Sequence, residues 1–118
     1  MQLNLPGLDI EQGLDVFDGD MEDYVSALTS FIKNTPDIID KLRVVTEGNL
    51  SDYAINIHGL KSISGWICAE SIRAGAEELE RLAKAGDLSG VTARNDGFLN
   101  GVAAFIKDLK AALEKNAP

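Results

Sequence analysis

The chain holds one histidine, His58, in the run Ile57-His58-Gly59-Leu60-Lys61-Ser62-Ile63-Ser64-Gly65. Imidazole is a versatile nucleophile and proton carrier near neutral pH. On a helix its surface neighbours stand three, four and seven residues away. Here they are Ser51, Ala54, Ile55, Lys61, Ser62 and Gly65. Most of them are small, which helix propensity does not explain, since an exposed glycine costs roughly 1 kcal/mol. A bulky partner approaching closely would explain them. A lysine one turn from the imidazole is poor design for a metal ligand or a general base. It suits an imidazole that will carry a dianionic group.

Other chemistries fit less well. The single cysteine, Cys68, allows no intramolecular disulfide, and one Cys with one His cannot build a four-ligand zinc site of those residues. On a continuous helix Cys68 would lie roughly 15 Å along the axis from His58, with no third group to orient a nucleophilic pair. No glycine-rich phosphate loop ending in Gly-Lys occurs. No metal site is expected. Trp66 reads as an aromatic plug over the core rather than a partner contact.

Helices must position these residues, because apolar side chains recur at three- and four-residue spacing and alternation is scarce. A short first helix is predicted over Asp9 to Phe17, closed by Asp18-Gly19-Asp20. Asp20 then caps a helix carrying Tyr24, Leu28 and Phe31 on one side. Thr35-Pro36 fits either a new helix, with Thr35 as cap, or a long helix kinked at Pro36. Arg43-Val44-Val45-Thr46 continues the helical period and is read as helix. Asn49 is the expected cap of the next helix, about 49–65, with Leu50, Tyr53, Ile57, Leu60 and Ser64 as its apolar stripe. At roughly 100° per residue, that stripe centres about 130° away from His58, so the imidazole faces outward. Ser64-Gly65 is expected to loosen or end this helix. Ile72, Ala76, Leu79 and Ala83 stripe the following one, which stops at Gly86-Asp87. Phe98, Val102, Phe105, Leu109 and Leu113 stripe the last.

The prediction is an all-α chain: an antiparallel four-helix bundle with a short extra N-terminal helix, in one domain spanning 1–118. A net charge of −8, from 11 Lys and Arg against 19 Asp and Glu, repels nucleic acid and anionic lipid. No apolar run approaches the roughly 18 residues of a membrane span, and no signal-peptide layout is visible. A cytoplasmic protein is therefore expected, and a monomer, since no second apolar stripe is obvious.

The residues around His58 resemble a known family. His58-Gly59-Leu60-Lys61-Ser62-Ile63-Ser64 is similar to the H-x-L-K-G-x-S signature of histidine-containing phosphotransfer (HPt) domains. Ala76-Glu77-Glu78-Leu79-Glu80-Arg81-Leu82-Ala83-Lys84-Ala85-Gly86-Asp87 is similar to that family's A-x-x-L-E-x-x-A-x-x-G-D helix. Leu5-Pro6-Gly7-Leu8-Asp9 and Phe17-Asp18-Gly19-Asp20 match its lead-in, so the likeness covers nearly the whole chain. Two positions depart from the pattern: Ser62 replaces a usual glycine, and Cys68 stands where a small residue, often glycine, is found.

The resemblance implies a phosphoryl carrier in a two-component phosphorelay, with no kinase activity and no cofactor of its own. A response-regulator receiver domain, with its own Mg²⁺, would deliver the phosphoryl group from an aspartate, and Nε2 of His58 would accept it. The same histidine would pass the group to another receiver. Lys61 and Ser62 would support the phosphoryl group, while Ser51, Ala54, Ile55 and Gly65 would meet the receiver. A hybrid sensor histidine kinase is the other implied partner, and the chain could equally be a free-standing protein or a piece of such a kinase. The competing reading is a non-catalytic helical docking module with an idle surface histidine.

Overall fold

A computed structural model describes residues 4–115, so the expected 1–118 domain reaches past it at both ends. Five α-helices form one compact body: α1 (Ile10–Val16), α2 (Met21–Leu42), α3 (Leu50–Trp66), α4 (Glu70–Lys84) and α5 (Leu88–Lys115). Among the described residues there is no strand beyond an isolated bridge, Leu8 with Ala69. None of the described helices is long and apolar enough to cross a membrane.

The aspartates expected to start α1 and α2 do so. Asp9 accepts from the Gln12 N–H at 3.0 Å and Asp20 from the Asp23 N–H at 3.1 Å, satisfying amides that no helical carbonyl can reach. Thr35-Pro36 resolves as one helix. Pro36 lies inside α2, and Thr35 is buried in mid-helix rather than serving as a cap. Tyr24, Leu28, Phe31, Ile39 and Leu42 give α2 its buried face.

Arg43–Thr46, read as helix, is not helical. Its β-branched run is a weak helix former, and side chains supply the backbone with other partners. Asn49 Nδ2 donates to the Val44 carbonyl at 2.8 Å. Thr46 and Asn49 cap each other around the single turn Glu47–Asn49. Asn49 is thus engaged backwards and makes no side-chain cap on α3.

α3 ends at Trp66, one residue past Ser64-Gly65, and within it the buried Ser64 hydroxyl donates to the Leu60 carbonyl at 2.7 Å. The turn to α4 then needs a left-handed residue, and Cys68 takes that conformation at φ 62°. Such a backbone favours glycine, which accounts for the small residue expected there. The N-terminal segment crosses this turn, the Asp9 N–H donating to the Cys68 carbonyl at 2.9 Å. The Tyr24 hydroxyl donates to the Ile67 carbonyl at 2.8 Å. Gly13 makes room for that tyrosine, because a β-carbon there would stand 2.4 Å from Tyr24 Cζ. Trp66 leans on Phe17, ring centroids 5.3 Å apart, yet stays 58% exposed. It plugs only in part.

α3 packs against α2 and α4, and α5 packs against the same two helices. The predicted stripe of α4 is buried throughout. α5 begins about three turns before its predicted stripe, burying Val91, Asn95 and Leu99 as well as Val102, Phe105 and Leu109. Asn95 is the polar member of this buried face of α5. Its Oδ1 accepts from the Tyr53 hydroxyl at 2.8 Å, and its Nδ2 donates to the Leu42 carbonyl at 2.7 Å, closing the end of α2. Asn95→Ala strands both partners in the interior and is expected to cost about 3 kcal/mol. Denaturant unfolding checks this. An unchanged midpoint would contradict it.

Candidate functional site

α3 and α4 together build the surface around His58. The imidazole projects from α3 with its side chain 56% exposed, in line with the angle read from the apolar stripe. Its Nδ1 lies 2.6 Å from Oε2 of Glu80 on α4. Glu80 is 5% exposed and holds two lysines as well: Lys61 Nζ at 2.6 Å from Oε1, and Lys84 Nζ at 3.1 Å from Oε2. One buried carboxylate therefore collects an imidazole and two ammonium groups.

Such a carboxylate is ionised. The Lys61 hydrogen bond pulls the Glu80 pKa down most, burial opposes it, and Lys84 and His58 add to the pull, leaving it at about 2. A carboxylate only accepts, so Nδ1 carries the hydrogen. In the neutral ring the lone pair is then on Nε2. Glu80 fixes both the tautomer and the plane of an exposed imidazole, which makes Nε2 a held nucleophile. The buried charge stays at modest cost because its oxygens are satisfied by hydrogen-bonded cations.

Lys61 stands with His58 as the sequence placed it, but it bonds to Glu80 rather than standing free beside the ring. Ser51 and Ser62 are exposed, Ile55 is 70% exposed, and Ala54 is half-buried. Beside them Gly59 opens onto space, with nothing within 4 Å of where a β-carbon would be. The relief around the ring is low on this side. Gly65 has a packing reason for its size, since a β-carbon there would come 3.3 Å from Arg73 Cδ on α4. Among the described hydrogen bonds, none joins Ser62 to His58.

Cys68 is buried at the α3–α4 turn. Burial first, then the charges of Glu70 and Asp9, push its thiol up from its ordinary value, the opposite of what a nucleophilic thiolate needs. Among the described residues no group of three His, Cys, Asp or Glu side chains is placed to hold a metal.

The sequence reading did not assign Glu80 or Lys84 to the site. The available signal was a charge set among Ala76, Leu79 and Ala83, on the side of α4 that must face inward. A buried glutamate requires cationic partners, and His58 and Lys61 are those partners 22 and 19 residues away in the chain. No family model matches the chain, and neither a curated protein nor a solved structure matches it.

Proposed function

We propose that this chain is a histidine phosphotransfer protein of a multistep two-component phosphorelay, built as an antiparallel four-helix bundle with α1 laid over one end. The observation that carries the reading is the exposed imidazole of His58, tied through Nδ1 to a buried, ionised Glu80. An idle surface histidine has no need of a buried carboxylate that fixes its tautomer.

In the proposed reaction Nε2 attacks the phosphorus of a receiver's aspartyl phosphate in line. The N–P bond forms as the acyl-phosphate O–P bond breaks, and the electron pair leaves with the receiver's carboxylate. The hydrogen on Nδ1 stays in place, and Glu80 stabilises the positive charge that grows on the ring. Lys61, one turn along α3, offsets phosphoryl charge, and Ser62 offers a hydroxyl. Ser51, Ala54, Ile55 and Gly65 form the surface the receiver meets. Mg²⁺, held by the receiver, lowers the charge barrier to transfer. Run backwards with a second receiver, the same steps pass the group on. The chain is a cytoplasmic, monomeric carrier rather than a kinase, and it contacts neither nucleic acid nor membrane.

The test is phosphoryl transfer from a panel of phosphorylated receiver domains with Mg²⁺. The expected label is lost in acid and kept in alkali, as a phosphoimidazole is. If the folded protein took no label from any receiver, the reading would give way to a docking module.

A further inference from the structure

His58 and Lys84 share one oxygen. Glu80 Oε2 lies 2.6 Å from His58 Nδ1 and 3.1 Å from Lys84 Nζ, whereas Oε1 is taken by Lys61. Lys84 follows Glu80 by one turn of α4, and its side chain is 66% exposed, so packing does not require a lysine there. The remaining charges on α4 are engaged elsewhere: Arg73 with Glu70 and Glu77, and Arg81 with Glu78. Among the described residues, the groups gathered on the Glu80 carboxylate are thus His58 and Lys61 from α3 and Lys84 from α4.

We infer that Lys84 is a positioning residue that sets how long a phosphoryl group stays on His58, by taking a share of the Glu80 oxygen that holds the Nδ1 hydrogen. This rests on the phosphotransfer reading of His58. When water attacks the phosphorus of the phosphorylated ring, an O–P bond forms and the Nε2–P bond breaks, its electron pair returning to Nε2. The water's proton passes to solvent. With hydrogen on Nδ1 the leaving group is neutral imidazole. Without it the leaving group is an imidazolate anion, and the bond persists. Glu80 retains that hydrogen. Lys84 draws part of the same oxygen's charge and is itself a cation near the ring, and both effects oppose retention. Lys84 therefore keeps the phosphorylated ring in its durable form to lower pH.

Chemical phosphorylation with phosphoramidate needs no protein partner, so the inference can be tested apart from the relay. Wild type, Lys84→Met and Lys84→Arg are labelled this way, and loss of phosphate is followed across pH by ³¹P NMR. In Lys84→Met the midpoint of the hydrolysis profile is expected to rise by about half a pH unit, shortening the half-life about threefold above the midpoint, a size set by the exposure of the lysine. Lys84→Arg keeps the wild-type profile. Superimposable profiles for Lys84→Met and wild type, or a lower midpoint in Lys84→Met, would overturn the inference. Normal labelling with these shifts, but no transfer from any receiver, would overturn only the relay reading. A His58 that took no phosphate from phosphoramidate would overturn both.

Discussion

His58→Gln is expected to abolish phosphoryl acceptance from every receiver that labels the wild type. Glutamine keeps a polar side chain of similar reach and can still donate to Glu80 from its amide, so the Lys61–Glu80–Lys84 contacts need not collapse. It removes the one atom the chemistry cannot replace, a nitrogen lone pair able to form an N–P bond. The exposed position of the ring makes a large loss of stability unexpected, and an unaltered unfolding transition would confirm that the variant is folded. Label on His58→Gln equal to wild type would place the acceptor elsewhere in the chain.

Glu80→Ala is expected to lower the transfer rate about a hundredfold while leaving the acceptor present. The ring would lose the partner that fixes its plane and its tautomer, and misorientation of this kind costs roughly that factor. Lys61 would also lose its buried anion. Glu80→Gln retains an acceptor oxygen for Nδ1–H but no charge, so a loss nearer tenfold is expected. Rates for both variants, measured with one receiver and compared with their unfolding midpoints, separate this effect from simple loss of structure. The same carboxylate ties stability to acid. Its pKa is held near 2 in the fold, against 4.5 ordinarily. The stability gained from its ionised contacts is therefore complete above the ordinary value and is lost as pH falls from about 4.5 through about 2. In Glu80→Gln that part of the acid dependence disappears.

The helices were legible because their apolar faces repeat with a helical period: Tyr24, Leu28 and Phe31 on α2, and Ile72, Ala76, Leu79 and Ala83 on α4, are all buried. The cap at Asp20 was legible because a cap works through the next three residues, whereas Asp9, read as the first helical residue, is itself the cap of α1. What the sequence hid was long-range. The carbonyl of Leu42 at the end of α2 accepts from Asn95, 53 residues further on, and spacing alone let Arg43–Thr46 pass for helix. His58 stood out as a lone imidazole among small neighbours, and Lys61 by its one-turn spacing. Glu80 and Lys84 join them only because α4 folds back beside α3, a pairing that no local window contains. Gly65, read from the sequence as a docking position, also lies close to Arg73 on α4, a neighbour that spacing could not show.

The most direct measurement is ¹⁵N and ³¹P NMR of the protein after phosphorylation by a receiver domain. The account predicts a single phosphoryl group, on His58, bonded to Nε2, with the hydrogen of the unphosphorylated ring on Nδ1. A phosphoryl group on Nδ1, or on any other residue, would contradict the central claim that Glu80 holds one nitrogen so that the other can react.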